Sequence, residues 1–330
     1  MVLVLPSLPL LFFLSFPKGT CVLTPPDHTQ EETAPLKRIA AYAAIYLFWG
    51  ASFLAIRIVV QALPPFLAAA IRFLLAGLLL LAFALAKRYP RPAGVEWRNL
   101  LLLAILMFVG DYALLFWIER RLASGLAAVT AATIPAQIFL LEWLWLRRIR
   151  PTPISAIGLL LGLAGVVTLV LPPEILTGHG ALDRYALIGF LAATFWASGT
   201  VISTRLQLPT VRAVSAGWQM TFGGTALLAL SAVAGEFPHI RTTSITPGAW
   251  LAMAYLVLFA SLIAFSAYVF LLQYEPTGRV ASYAYVNPII ALFLGAFLGS
   301  ESLSFRQYLA CAVIIVGVGV TLLGKQTARA

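Results

Sequence analysis

The sequence predicts an all-α membrane protein with ten transmembrane helices in two inverted five-helix repeats. Three observations carry this. Hydrophobic residues make up 61% of the 330-residue chain and charged residues only 10%. A soluble domain carries about 25% charged, so this chain could not cover its surface in water. Apolar runs near the roughly 20 residues that cross a hydrocarbon core recur along its length. The chain also repeats itself. Phe48-Trp49, in an apolar run closing at Arg57, returns 147 positions later as Phe195-Trp196, in a run closing at Arg205. Ala76-Gly77 matches Gly223-Gly224 at the same offset, and Gly125 and Pro135 match Gly278 and Pro288 at an offset of 153. The slip falls in the long loop and third helix of the second copy. An odd number of spans per copy forces the second copy to enter from the opposite side, the arrangement of alternating-access transporters.

The first repeat, residues 37–171, holds spans at 39–60, 64–86, 100–118, 122–146 and 153–171. The second, residues 185–324, holds spans at 185–204, 213–234, 249–272, 279–299 and 305–323. Pro64-Pro65, Lys87-Arg88, Arg147-Arg148, Pro172-Pro173 and Glu275-Pro276 separate them. Short links make neighbouring helices antiparallel. Residues 1–36 form an N-terminal extension and 325–330 a short cytoplasmic tail. The extension starts apolar but carries Pro6, Pro9 and Pro17 and no basic leader, so it makes a poor signal peptide and a poor span. Its second part is polar and proline-rich, a composition that stays disordered. It reads as a membrane-surface segment or as a dispensable extension.

A net charge of +10 invites a nucleic-acid partner. The basic residues instead sit between apolar runs, where they orient helices in a bilayer. With the N-terminus inside, the outer side receives Arg57, Arg120, Arg121, Arg184, Arg241 and Arg306. Setting aside Arg72 within a span and Lys18 upstream, the other fourteen of the 22 Lys and Arg fall on the cytoplasmic side. Both termini are therefore expected in the cytoplasm. Cys21 and Cys311 give neither metal spacing nor a disulfide framework, and no metal or cofactor is expected.

Charge inside a bilayer is costly and marks functional candidates. Arg72 lies about eight residues into its span, roughly 12 Å deep at 1.5 Å per residue. It either holds an anionic group or pairs with an acid, or it bonds carbonyls and reaches outward. Gln219 is its match in the second copy, so the position is polar in both halves and charged in one. Asp111, beside Tyr112, is a candidate proton carrier or a structural partner of Arg72. Glu119, at the outer end of the third span, reads as a rim charge. Glu142 is expected to pair with Arg147 along its own helix, and Glu301 to cap the last helix. Trp49 and Trp196 occupy equivalent positions, and Tyr268, Tyr283, Tyr285 and Asn287 add polar atoms to the second half. Pro135 and Pro288, expected near the middles of their helices, each free a carbonyl and bend the chain. Gly158, Gly162, Gly165, Gly317 and Gly319 permit close helix packing, which makes their helices candidates for scaffold and homodimer contacts.

These residues resemble the EamA-type transporters of the drug/metabolite transporter superfamily. Phe48-Trp49-Gly50-Ala51-Ser52-Phe53 with Arg57 looks like the family's opening, and Arg72-Phe73-Leu74-Leu75-Ala76-Gly77 like its second helix. Trp117-Ile118-Glu119, then Ser124-Gly125-Leu126-Ala127-Ala128 and Pro135, resembles one subgroup. Ala281-Ser282-Tyr283-Ala284-Tyr285-Val286-Asn287-Pro288, followed by Gly295 and Glu301, is the most specific stretch. The chain departs from the pattern at Arg148, which stands opposite Glu301, and at the Ile118 and Arg120 flanks of Glu119. The resemblance implies two inverted five-helix repeats in the bacterial cytoplasmic membrane and export of small metabolites, amino acids among them.

The function expected is thus secondary transport of a small-molecule substrate by alternating access. Trp49, Arg72, Tyr112, Trp117, Trp196, Gln219, Tyr268, Tyr283 and Asn287 are expected to line a central cavity, with Asp111 and Glu119 as proton-coupling candidates. No Gly-Lys-Ser/Thr loop is present for a nucleotide, so a gradient would drive the cycle. The rivals are an intramembrane enzyme and a lipid scramblase or receptor. Against the enzyme, His28, His179 and His239 lie in loops or the tail.

Overall fold

The computed structural model of the chain describes residues 35–122, 124–145, 149–150, 152–170, 184–240, 245–299, 305–323 and 327–328. The expectations for residues 1–34, Cys21, Arg147, Arg148, His179, Arg241, Glu301, Lys325 and Arg329 lie outside the described residues. Helices account for nearly all of what is described. They are α1 (Pro35–Ala62), α2 (Pro65–Ala86), α3 (Val95–Glu119), α4 (Ser124–Ala131), α5 (Ile134–Trp145), α6 (Pro153–Val170) and α7 (Arg184–Ser203). The chain continues with α8 (Arg212–Val233), α9 (Pro247–Tyr274), the short α10 (Thr277–Val280), α11 (Tyr283–Gly299) and α12 (Phe305–Leu323). One two-residue antiparallel pair, Ile149–Arg150 with Thr327–Ala328, interrupts the all-helical pattern. Among the described residues, α1, α2, α3 and α9 are each continuous, long and apolar enough to cross a membrane.

The apolar residues are arranged for lipid outside and close contact inside. In α2, Ala68, Ala69, Ala76 and Gly77 are buried, while Leu75, Leu78 and Leu79 are about half exposed. Helices in hydrocarbon gain nothing by hiding leucine from lipid; they associate where small residues let backbones approach. α2 packs on α8 in this way, and α6 on α12. A Cβ at Gly77 would stand 2.8 Å from the Thr221 amide nitrogen, and one at Gly224 2.8 Å from that of Leu74. Leu74 and Thr221 are themselves 147 positions apart, so the contact is reciprocal. In α6 and α12, Gly165 meets Ile314 and Gly317 meets Gly162, again reciprocal at an offset of 152.

Several stretches depart from regular α-helix, among them a π-helical segment at Leu141–Trp145 that ends α5. α3 passes through a π-helical segment at Ala104–Ala113, and α9 through another at Leu256–Ala264. The two segments begin 152 positions apart, as do the helices that hold them. The fourth expected span is broken. α4 ends at Ala131 and α5 begins at Ile134, so Pro135 sits in the first turn of a new helix rather than mid-helix. A first-turn proline lacks only an N–H that would have had no partner. Pro288 is inside α11, as expected.

Links gather at two ends. At one, the Glu236 carboxylate accepts from the amides of Phe66 at 3.2 Å and Leu67 at 2.9 Å, capping α2 from the link after α8. At the other, Glu275 pairs with Arg38 at 3.2 Å and Arg279 at 3.6 Å, joining the start of α1 to the end of α9. There Glu142 is buried and accepts from the Thr277 hydroxyl, a tie between helices; its expected partner Arg147 lies outside the described residues.

Gly77→Leu is expected to cost about 1–3 kcal/mol through overpacking and to lower the unfolding temperature in detergent. Gly319→Ala, with nothing within 4 Å of its Cβ, is expected to be neutral or stabilising. Glu236→Ala should cost about 1–2 kcal/mol, the range for a lost helix cap with its dipole contact, measured by the same melt.

Candidate functional site

The π segment of α3 and the α4–α5 break meet at one cavity. Trp49, Ser52 and Phe53 reach it from α1, on one face by their spacing of three and four. The π segment of α3 brings Asp111 and Tyr112; the α4–α5 break brings Thr130, Ala131 and Ile134. Gly189, Ala192, Ala193 and Trp196 follow the same helical spacing along α7, and Tyr283 and Asn287 enter from α11. The space open to water centres is about 40 Å³, enough for only a few waters.

Aromatic rings form its wall. The Trp49 ring centre is 5.5 Å from that of Trp196 in an edge-on contact, 4.6 Å from Tyr283 and 5.2 Å from Tyr268. Trp196 stands 5.8 Å from Tyr112. Equivalent tryptophans of the two repeats therefore touch each other. Trp49 Nε1 donates to the carbonyl of Ala260, in the π segment of α9, at 2.9 Å. Its counterpart, Trp196 Nε1, is buried without a hydrogen-bond partner, and so is Asn287 Oδ1.

Arg72 lies behind this wall. It is 1% exposed, its Nε donates to Ser261 Oγ at 2.9 Å, and it does not line the cavity. Its guanidinium carbon is 4.6 Å from the Phe73 ring centre and 4.9 Å from that of Tyr112, close enough for cation–π attraction. No ion pair joins it to Asp111, although the two feel each other's charge; the expected structural pair is absent. Glu119 is the correction of most consequence. It is no rim charge: it is fully buried, and neither carboxylate oxygen has a hydrogen-bond partner. Its charge is felt by Arg72, and those of Arg57 and Arg72 by it. Arg57 crosses to the same region, donating to the carbonyl of Leu122.

Two larger hollows flank the cavity. One, about 570 Å³, opens among the α1–α2 link, Trp117, Arg120, Glu236 and His239. The other, about 260 Å³, lies at the opposite end among the α7–α8 link, Gln219, Phe265, Tyr268 and Gln273. So Trp117, 39% exposed and 5.6 Å from the Tyr185 ring, belongs to the first hollow, and Gln219 to the second. Neither reaches the central cavity. Tyr268 stands between, its hydroxyl 2.5 Å from that of Thr200.

The sequence matches the EamA-like transporter family in two segments, 38–171 and 183–323. The chain belongs to that family. Among its EamA-type relatives, the uncharacterized inner membrane transporter YedA of Escherichia coli K12 is 36% identical over 292 residues, covering 88% of this chain and 92% of that one. Protein PecM of Dickeya dadantii is 28% identical, covering 85% and 92%. An uncharacterized transporter of Synechocystis is 27% identical, covering 83% and 86%. A crystal structure at 24% identity overlays with a TM-score of 0.66 over 88% of this chain and 97% of its own, a likeness of fold. The chain is thus a multi-pass membrane protein of a transporter family.

Helical spacing held signals that residue types did not. Glu119 is seven positions from Tyr112, two turns along the same face, which places it with the buried set. Trp117 is five positions on, well round the helix, which turns it away. The Ser52, Thr130 and Gly189 linings carried no chemical signal and follow only from their neighbours.

Arg72 and Glu119 form no ion pair but are buried within each other's field, and removing one of two interacting buried charges leaves the other less compensated. Arg72→Leu alone is expected to destabilise the protein by about 3–5 kcal/mol. Arg72→Leu with Glu119→Leu should cost less than the sum of the two single changes, a coupling that a double-mutant cycle in detergent melts measures.

Proposed function

We propose that this chain is a gradient-driven exporter of small metabolites working by alternating access across the bacterial cytoplasmic membrane. The observation that carries the reading is the central cavity at which Trp49 and Trp196, equivalent residues of the two repeats, meet edge-on beside Asp111 and Asn287. A site where two repeats meet is where a transporter's cargo is held while one repeat moves against the other.

Ten spans in two inverted repeats accord with the two family segments and with the reciprocal α2–α8 and α6–α12 contacts. A two-fold relation requires that when residue i touches j, the equivalent of i touches the equivalent of j. The charge bias supports cytoplasmic termini, and the relative in Escherichia coli is named an inner membrane transporter.

The mechanism follows from the three spaces. Cargo enters from the hollow beside Gln219 and Tyr268, passes the Trp196–Tyr268 wall into the central cavity, and leaves past Trp117 and Arg120. Only one wall opens at a time. The Glu275 ion pairs and the Glu236 cap, at opposite ends, are the contacts that such opening would exchange. Asp111 and Glu119 are the carboxylates available to carry a proton against the cargo.

A tolerance screen of cells with and without the protein, across amino acids, amines and antimicrobials, tests this. Selective tolerance to one class is expected, falling at least tenfold in Trp49→Ala and Tyr283→Ala at unchanged membrane abundance. Tolerance that both variants retain, or no change in tolerance or vesicle flux for any solute, contradicts it. A reporter fused after Lys325 is expected to be active only in the cytoplasm.

A further inference from the structure

We infer that the central cavity selects organic cations, seating a protonated amine or quaternary ammonium group against Trp49, Trp196 and Tyr283 with the Asp111 carboxylate as counter-ion. The inference rests on the proposed role of this cavity as the cargo site and names the cargo's chemistry.

The charge balance points to a cation. Among the residues lining the cavity, Asp111 is the one charged side chain. Arg72, the cation expected to hold a substrate anion, is walled off by the Tyr112 ring and bonded to Ser261. Glu119, buried with no hydrogen-bond partner, lies within the fields of Arg57 and Arg72, and Asp111 lies within that of Arg72. The two buried carboxylates and the two arginines match in number, but of the four only Asp111 reaches the cavity, and among the described residues no cation lines it. A carboxylate in a low-dielectric site favours a ligand of opposite charge, and a carboxylate cargo would meet repulsion instead.

The walls fit the same ligand. Trp49 lies 4.6 Å from Tyr283 and 5.5 Å from Trp196, centre to centre. Clustered aromatic rings of this kind recognise ammonium groups through their electron-rich faces, with tryptophan the strongest. Asn287 Oδ1, buried beside them and without a donor, is an acceptor for an ammonium N–H. Trp196 Nε1, a single neutral donor, does not balance a full negative charge. The cavity's small volume requires a flanking wall to part before an amine of any size enters.

Four ligands sharing one aryl body separate the possibilities: 2-phenylethylamine as cation, 2-phenylethanol as neutral isostere, 3-phenylpropionate as anion and phenylalanine as zwitterion. Binding to the purified full chain in detergent at pH 7 is measured by calorimetry. The expected result is that 2-phenylethylamine binds at least tenfold tighter than the other three. Asp111→Asn should remove that preference and leave 2-phenylethanol unchanged, while Asp111→Glu should keep it; the Glu variant keeps the test open should the Asn variant not fold. An anion or zwitterion that binds as tightly as the amine overturns the inference, as does a preference that survives in Asp111→Asn. If binding of the favoured ligand is nevertheless lost in Trp49→Ala, the cavity stands as the cargo site and only the cation assignment fails. Binding indifferent to Trp49→Ala in a variant that melts normally, or no binding of any of the four, overturns both.

Discussion

A backbone surrounded by hydrocarbon has no water to bond to, so each amide and carbonyl must find its partner within its own helix. Any place where the helical ladder changes is therefore costly unless it is enclosed by protein. Here several such places gather around the cavity. The π segment of α3 supplies Asp111 and Tyr112 to the cavity, and the α4–α5 break supplies Thr130 and Ile134. Asn287 precedes Pro288 within α11, and the π segment of α9 offers the Ala260 carbonyl to Trp49. π turns of this kind recur at functional sites. A further π segment, at Leu141–Trp145, lies away from the cavity with Leu144 and Trp145 exposed.

The same constraint governs charge. Arg72 retains its charge at depth because Phe73, Tyr112 and Ser261 surround it and because Glu119 lies within its field. Such a cluster is structural as well as functional, since it fixes the back of the wall that Tyr112 presents to the cavity. Asp111 also lies within the field of Arg72, but it alone of these charges lines the cavity. The distinction between a charge enclosed by protein and one presented to the cavity is what turns a cavity of aromatic rings into a selective one.

Much of the fold was legible in the sequence, because composition and repeat offsets depend on the solvent and on symmetry. The pairing of Trp49 with Trp196 was foreshadowed by their equivalence. The site was legible in part: Trp49, Asp111, Tyr112, Trp196, Tyr283 and Asn287 line the cavity. Arg72 stands behind the wall, and Trp117, Gln219 and Tyr268 lie in the flanking hollows. Residue type alone does not tell which side of a helix a tryptophan faces, and Trp117 looks like Trp196 until the turn is counted. Equivalence also fails where the repeats have diverged: Arg72 is held in a cluster of aromatic rings, whereas Gln219 bonds Ser215 beside an open hollow. The depth of Glu119 was hidden because two adjacent arginines made it resemble a surface run.

The central claim is that the cavity between Trp49 and Trp196 is reached in turn from both sides of the membrane. Ser52 lines that cavity, and a Ser52→Cys variant lacking Cys21 and Cys311 reports on it. Its reaction with a membrane-impermeant maleimide is followed in right-side-out and in inverted vesicles. Alternating access predicts labelling from both faces, with a bound cargo slowing both. Labelling confined to one face, whatever solute is present, would contradict it.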